Sequence, residues 1–224
     1  MPITPAQALQ MLRTDTEGFL NRYPVRIYGD PTASYQAKYR LEDATASLPA
    51  GSVPQRPGSV LRHLRHHDTQ LFNIKAGVSV GPNVAGAIWF DAHSVKMWDA
   101  AKPNNIVPYT LPAAGGASLM VTGELTGCSF AIHDNNDGSL LVTHIKPHLP
   151  VAGEHQGNVI RAQPLQTALQ SNPYWDVVYG GKNYDPQNRR VSIIGSRATG
   201  TWKIYAQKLE NMTPHGVRKV KRIF

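Results

Sequence analysis

The sequence predicts an α+β domain whose centre consists of antiparallel or mixed β-sheets in a sandwich-like arrangement, flanked by helices. Apolar segments of strand length outnumber helical ones and mostly follow one another along the chain. Clusters of Gly, Pro and Asn, which favour turns between strands, separate these segments. No linker-like stretch divides the 224 residues and 41% of them are hydrophobic, so residues 1–224 are expected to form one domain.

Residues 4–22 are predicted to form an N-terminal helix. Thr4 is a suitable N-cap, Pro5 fits the first turn, and Pro24 prevents the helix from continuing. Apolar residues three and four positions apart would give the helix one side that faces a core. Those residues are Ala8, Leu9, Leu12, Phe19 and Leu20.

The remaining apolar segments predict strands and one short helix. Residues 71–80 and 84–90 flank the turn signal Gly81-Pro82-Asn83 and are therefore expected to pair as a hairpin. Residues 191–195 and 202–209 are expected to form a later strand pair. Further strands are expected at 25–28, 94–98 and 175–179, a helix at 163–170, and a long surface loop at 43–59.

Another predicted hairpin carries the single cysteine of the chain, Cys128. Its turn is Asp134-Asn-Asn-Asp-Gly138 and its return strand contains His144. A hairpin folded about Asn136 places Cys128 directly opposite His144, with the Cβ atoms about 4.5–5.5 Å apart on one face. This pairing suits a cysteine nucleophile, because the thiolate is the reactive form and a neighbouring histidine can take the thiol proton.

Two neighbouring residues fit the same chemistry. Gly127 permits a backbone angle closed to other residues, or a close approach of the backbone to a substrate, and the N–H of Cys128 would hold a developing oxyanion. Thr122 lies six residues before Cys128 and shares its strand parity if the glycines between them make no bulge. Its hydroxyl or carbonyl would then orient His144, the third role in a triad. The alternative is that Cys128 is a small buried hydrophobe and His144 is structural.

The segment Leu119-Met-Val-Thr122-Gly-Glu-Leu-Thr-Gly127-Cys128, with His144 on the following strand, resembles the active-site signature of a toxin family. The family comprises the Burkholderia lethal factor and the catalytic domain of the cytotoxic necrotizing factors. Its hallmark is Leu-Ser-Gly-Cys followed by a histidine on the next strand, and the lethal-factor type has a threonine six residues before the cysteine. Here Thr126 replaces the usual serine, and the spacing to the histidine is slightly longer. The strand pair that ends in Tyr205-Ala-Gln207 is similar to a late pair in the family.

The resemblance implies a nucleophile at Cys128, a base at His144 and a third residue at Thr122. It implies a hydrolase that deamidates a glutamine side chain of a host protein, for example a Rho-type GTPase or a translation initiation helicase. Transglutamination would result if a primary amine replaced water, and the sequence leaves these two outcomes open. The chain would then be a bacterial toxin or effector with a role in virulence. No cofactor or metal is expected.

The N-terminal sequence lacks a basic segment followed by an apolar one, so a protein of this class would be secreted without a classical signal peptide and would act in the host cytosol. One cysteine cannot form an internal disulfide, which agrees with a reducing compartment. The sequence contains no run of 18 apolar residues, so no membrane span is expected. A monomer is expected.

The formal net charge of +8 favours acidic partners, such as an acidic surface on a host protein. Residues 214–224 are predicted to be a basic, solvated C-terminal tail, and nucleic-acid binding there is less favoured because aromatic residues are not interleaved with the cations. His63, His66 and His67 form a basic cluster without a fitting glutamate, which argues against a zinc site. The alternatives to an enzyme are a basic module that binds nucleic acid or a surface, and a structural protein of a secretion machine or phage. In both, the cysteine would not be catalytic.

Overall fold

Two β-sheets share one apolar core, and helices pack against their other faces. The computed structural model describes residues 2–29, 31, 33–47, 70–77, 85–100, 106–147, 154–210 and 217–224. Its strands and helices agree with the α+β class that the sequence predicts. None of the helices in these described ranges is both long and apolar enough to cross a membrane.

The larger sheet has eight strands in the order β1-β3-β2-β4-β7-β11-β12-β13. Its strands β1 and β3 are parallel, as are β4 and β7, and the other neighbouring pairs are antiparallel. The bounds are β1 Val25–Tyr28, β2 Tyr35–Asp43, β3 Phe72–Ala76, β4 Ile88–Val95, β7 Leu119–Thr122, β11 Arg189–Ser196, β12 Lys203–Glu210 and β13 Val217–Arg222.

The smaller sheet has five strands. Its order is β10-β8-β9-β5, and β6 pairs with a different part of β9. Only the β5–β9 pair is parallel among these pairs. The bounds are β5 Met97–Asp99, β6 Tyr109–Leu111, β8 Ser129–Asp134, β9 Leu140–Lys146 and β10 Val177–Tyr179.

The predicted N-terminal helix is two helices, α1 (Pro5–Thr14) and α2 (Thr16–Arg22). Thr4 caps α1 as predicted, accepting the N–H of Gln7 on its hydroxyl. Asp15 interrupts the helix because its carboxylate accepts the N–H of Gly18 and so caps α2. The expectation of one continuous helix over 4–22 was therefore wrong at Asp15, although the five predicted core residues are all buried.

A third helix, α3 (Glu154–Gln170), is longer than the predicted helix at 163–170. It contacts β8 and β10. The side chain of Gln166 fixes its C-terminal half by donating to the carbonyl of Val178 (3.2 Å) and accepting the N–H of Lys182 (2.6 Å). This helix therefore packs on the side of the smaller sheet away from the larger one.

Apolar residues pack on both faces of the eight-stranded sheet. One cluster joins α1 and α2 to the sheet and includes Phe19, Tyr23 and Phe72, whose rings lie 5.2–5.7 Å apart. The other cluster lies between the two sheets and is called here the inter-sheet core. It includes Val95, Met120, Phe130 and Val142, as well as Cys128.

Two local predictions, one hairpin and the C-terminal tail, differ from the structure. Residues 71–80 and 84–90 do not form a hairpin, because β2 lies between β3 and β4 and pairs with both. The turn signal at Gly81-Pro82-Asn83 lies outside the described residues. Most of the predicted solvated tail is also ordered, since residues 217–222 form β13 at one edge of the large sheet. The late pair at 191–195 and 202–209 is confirmed as β11 and β12.

Gln207 shows how the chain joins distant segments through buried polar contacts. Its side chain is fully buried, and its Nε2 donates to the carbonyls of Leu20 (2.5 Å) and Tyr23 (2.7 Å). Its Oε1 accepts the N–H of Val25 (2.8 Å). One side chain therefore links the end of α2 and the start of β1 to β12.

We expect Gln207→Leu to destabilise the fold by about 3 kcal/mol or more, because two carbonyls and one N–H would lose their partner in a buried site. Urea denaturation measures this difference, with Gln10→Leu on the exposed side of α1 as the control for an added leucine. A change in the free energy of unfolding no larger than that of the control would contradict the structural role assigned to Gln207.

Candidate active site

The connection between β7 and β8 carries the chain from the large sheet to the small one, and contacts fix it along its length. Glu124 accepts bonds from Nε of Arg26 (2.7 Å), Nη1 of Arg190 (3.1 Å) and the N–H of Ile27 (3.0 Å). Leu125 forms an isolated antiparallel bridge with a residue of β11. Cys128, at the end of this connection, is therefore held by both sheets.

The turn before Cys128 is fixed by the hydroxyl of Tyr184. This hydroxyl accepts the N–H of Gly127 (2.8 Å) and donates to the carbonyl of Cys128 (2.9 Å). Burial raises the pKa of Tyr184 well above its ordinary value of 10, so the phenol remains a donor at neutral pH. Gly127 has a φ of 125°, a conformation that favours glycine, as its sequence position suggested.

The contact with Tyr184 also bears on the oxyanion site. The sequence suggested backbone donors at both Gly127 and Cys128. The N–H of Gly127 is already bonded to Tyr184, so it does not serve as an oxyanion donor in this arrangement. The assignment of the N–H of Cys128 to this role stays a prediction.

The hairpin of β8 and β9 is confirmed, but its register differs from the prediction. Phe130, and not Cys128, lies opposite His144. The turn is centred one residue later than predicted, because the ladder ends at the pair of Asp134 and Leu140. Such a shift moves the partner by two positions and leaves every side chain on its original face. Cys128 and His144 are thus diagonal neighbours on the side of the hairpin that faces the inter-sheet core.

Thr122 contacts His144 from the opposite sheet. Thr122 ends β7 of the large sheet, whereas Cys128 precedes β8 of the small one, so the common strand parity predicted for these two residues does not apply. The hydroxyl of Thr122 nevertheless lies 2.9 Å from Nδ1 of His144, and it donates to the carbonyl of Val95 at 2.7 Å. Thr122 is therefore beside His144 as predicted, but it reaches the ring from the opposite sheet, across the inter-sheet core.

These contacts determine the tautomer of His144. The Thr122 hydroxyl uses its one proton toward Val95, so it accepts from the ring, and Nδ1 of His144 carries a proton. Burial lowers the pKa of His144 from 6.5 to about 3, so the ring is neutral at pH 7. Nε2 is then an acceptor, and it has no hydrogen-bond partner among the described residues. A neutral imidazole held by Nδ1 with Nε2 open is the form of a general base.

Met97 is the third group next to the thiol. Its backbone is the β5 partner of His144, and its Sδ lies 3.7 Å from Sγ of Cys128. The thiol thus donates to a thioether, a weak acceptor, in this arrangement. Met97 is half-buried, whereas Cys128 is 3% exposed and His144 is not exposed. Among these three residues, Met97 is thus the one that is partly exposed, and it touches the thiol.

Sequence reasoning found the cysteine, the histidine and the threonine but missed Tyr184 and Met97. Tyr184 follows Gly180-Gly181 in a loop far along the chain, where no local pattern indicates a contact with Cys128. Met97 lies in the predicted strand 94–98, and its pairing with β9 is parallel and long-range. Both contacts depend on tertiary structure, which the local periodicity does not encode.

No metal centre is found in the part of the chain that the structure describes, where no three or more His, Cys, Asp or Glu side chains are placed to share an ion. The His63, His66 and His67 cluster lies outside the described residues. Gln207, from the second segment that resembles the toxins, faces the helices on the other side of the large sheet and serves the fold.

No protein-family model matches the sequence, and no curated protein matches it. The chemistry assigned to this site therefore depends on its geometry and on the resemblance of residues 119–128 and His144 to the toxin signature. The geometry contributes the threonine-bound neutral histidine and its position on the same core-facing side as Cys128.

We expect His144 to remain neutral in the folded protein from pH 8 down to about pH 4, because its folded pKa of about 3 lies below the unfolded value of 6.5. Between those two pKa values the unfolded state binds one more proton. His144 therefore contributes stability above pH 6.5 that is lost as the pH falls, at about 1.4 kcal/mol per pH unit.

Nitrogen NMR of the ring, recorded across this range, should show a protonated Nδ1 and an unprotonated Nε2. Urea denaturation at the same pH values should show the corresponding loss of stability. A ring that titrates near pH 6.5 in the folded protein would contradict this account of the site.

Proposed function

We propose that the protein is a cysteine hydrolase that deamidates a glutamine side chain of another protein, with Cys128 as nucleophile and His144 as base. The observation that carries this proposal is the 2.9 Å contact between Thr122 and Nδ1 of His144. It fixes the tautomer with an open Nε2 on the side that Cys128 shares. His93 also has a buried Nε2 without a partner among the described residues, so the feature particular to His144 is that its ring lies on the side of the hairpin that Cys128 shares.

The first half of the reaction forms a thioester. Sγ of Cys128 attacks the carboxamide carbon of the glutamine as Nε2 of His144 takes the thiol proton. The negative charge on the carboxamide oxygen is assigned to the backbone N–H of Cys128. His144 then gives its proton to the nitrogen, the carbon–nitrogen bond breaks, and ammonia leaves.

The second half hydrolyses the thioester. Nε2 of His144 removes a proton from a water molecule, whose oxygen attacks the thioester carbon. The carbon–sulfur bond breaks, Cys128 regains a proton from His144, and glutamate is released. If a primary amine takes the place of water, the same intermediate gives a crosslinked glutamine. Thr122 holds the imidazole in one orientation during both halves.

The resemblance to the lethal-factor and necrotizing-factor toxins supports a protein glutamine as the substrate and a bacterial effector as the class of protein. In this proposal the effector acts in the cytosol of a host cell, which keeps its thiol reduced. The basic chain suits an acidic target surface. The thiol is nearly fully buried and touches Met97, so in this proposal the substrate gains access through a movement of that side chain.

The burial of Cys128 favours a second candidate function, a basic binding module with an inert thiol. A cysteine that packs among apolar residues and never meets solvent has a structural role. The two candidates differ in what happens when the methionine beside the thiol is shortened, and in whether a host protein gains a glutamate.

We expect Cys128→Ser to fold like the wild type and to lose the amide hydrolysis completely, because a serine hydroxyl is a much weaker nucleophile in a site built for a thiol. Mass spectrometry of host-cell proteins, incubated with each variant, measures the conversion of glutamine to glutamate. Thr126→Ser, which restores the serine of the toxin signature beside Cys128, is the matched control and should keep activity. Conversion by the Cys128→Ser variant, or by neither protein, would reject the proposed function.

We expect Met97→Ala to increase the rate at which iodoacetamide alkylates Cys128 in the folded protein by roughly tenfold or more, because it removes the partly exposed side chain that touches the thiol. Met97→Leu keeps the bulk and should alkylate at the wild-type rate. The rates are followed by intact-protein mass spectrometry at neutral pH. Equal rates for Met97→Ala and Met97→Leu would show that Met97 does not cover the thiol.

A further inference from the structure

Four cations lie together on one face of β11, β12 and β13, and they are called here the cationic face. Lys208 of β12 is directly opposite Lys219 of β13, and Lys221 is opposite Ala206. Ala206 belongs to the inter-sheet core, so these lysines are on the side of the large sheet that faces the small sheet. Arg189 at the start of β11 completes the face, on the same side as the buried Val191, and its partner across the β11–β12 ladder is Glu210.

The cations repel one another in the protein alone. Like charges directly opposite on antiparallel strands are destabilising. The pKa of Lys208 is lowered, first by burial and then by Lys219, Lys221 and Arg189, so all four positions are close enough to interact. Nζ of Lys208 donates to the carbonyl of Asn183. An arrangement of this kind becomes favourable when an anionic partner is bound.

The cationic face lies at a sheet edge. β13 is the last strand of the large sheet, and within the described ranges β12 is the one strand that pairs with it. Lys219 and Lys221 are exposed. Lysines on an edge strand discourage the addition of neutral or basic strands, whereas an extended acidic segment would meet complementary charge and a free row of backbone donors and acceptors.

The same face is linked to the candidate active site through one loop. Asn183, which accepts from Lys208, directly precedes Tyr184, whose hydroxyl holds Gly127 and Cys128. A partner bound at the cationic face is therefore next to the loop that positions the thiol. Because the face lies next to this loop, a protein bound there would be close to the candidate active site, as a docked substrate must be.

We propose that the cationic face binds an extended acidic segment of the protein substrate, which adds as a strand to the edge of β13. Carboxylates at alternate positions of the segment point to one side and pair with Lys219 and Lys221. A nucleic acid is a poorer fit, because the described positions of β12 and β13 on this face carry no aromatic ring on which a base can stack. That the segment belongs to a substrate rests on the proposed function, whereas the binding of an acidic segment does not.

Fluorescence anisotropy with a labelled peptide of alternating Glu and Thr tests the proposal, in the Cys128→Ser protein so that no chemistry intervenes. The peptide should bind, and binding should weaken as salt is raised. A peptide with Gln for Glu should not bind. A Glu-Thr peptide methylated on every backbone nitrogen keeps the charge but cannot donate to the ladder, and it should bind more weakly than the unmethylated peptide.

The variant for this test is Lys219→Gln with Lys221→Gln, and we expect it to weaken peptide binding about tenfold, since two exposed charge pairs are lost. The control is Arg13→Gln with Lys38→Gln, two exposed cations elsewhere, which lowers the net charge of +8 by the same amount and should leave the affinity unchanged. An equal loss of peptide affinity in the two double variants would overturn the proposal, since the attraction would then depend on the net charge of the protein and not on these two lysines.

The same anisotropy measurement is repeated with a single-stranded oligonucleotide that carries as many negative charges as the acidic peptide. If it binds more tightly than the acidic peptide and loses the same affinity in the Lys219 and Lys221 variant, the face is a nucleic-acid site and the proposal is rejected. Peptide binding that persists while no host protein is deamidated would reject the proposed function and leave the docking surface standing. The two failures are thus distinguishable.

Discussion

The crossing of the chain from the large sheet to the small one, between Thr122 and Ser129, is the constraint on which the candidate site depends. The residues on both sides of it form opposite walls of one core, so a hydroxyl at the end of one sheet reaches an imidazole on the other. The short connection is fixed by the carboxylate of Glu124 and the phenol of Tyr184. If this connection were loose, neither the tautomer of His144 nor the position of Cys128 would be defined.

Burial of the histidine has a cost in stability. A ring nitrogen left without a partner in a buried place costs about 1–3 kcal/mol. In His144 that nitrogen is Nε2, and the other nitrogen is bonded to a hydroxyl whose proton is already committed to Val95. Stability is therefore given up at the atom that a proton transfer from Cys128 would use, as it is at the buried Nε2 of His93. In proteins generally, buried polar atoms without a hydrogen-bond partner call for an explanation, and a functional role is one of them.

The sequence predicted the parts of the site that depend on local structure. Gly127 before Cys128 and the turn after Asp134 mark the hairpin, and both are present. The centre of the turn lies one residue later than predicted, which moves each strand partner by two positions, because the strong turn residues from 134 to 138 allow more than one centre. Thr122 was also predicted to lie near His144, but the reason was wrong. The prediction assumed that Thr122 and Cys128 lie on one strand, whereas the chain passes from the large sheet to the small one between them.

Long-range pairing is what the sequence could not supply. The turn signal between 71–80 and 84–90 predicted a hairpin, yet β2 inserts between the two strands because sheet order is set by tertiary packing. The run of cations from 218 to 222 suggested a solvated tail, but Val220 between them packs beside the helices and the segment pairs with β12. Charge content alone did not reveal that Val220 within this run faces a core.

The backbone of Val25 gives the molecule a particular order of assembly. Its N–H is bonded to Gln207 and its carbonyl to the hydroxyl of Ser192, both more than 160 positions later in the chain. A chain that leaves the ribosome N-terminus first therefore cannot complete β1 until Ser192 and Gln207 have been synthesised. Contacts this distant in sequence slow folding and leave the early segments exposed meanwhile. This part of the nascent protein would thus stay incompletely folded until those residues emerge, which gives chaperones time to bind it.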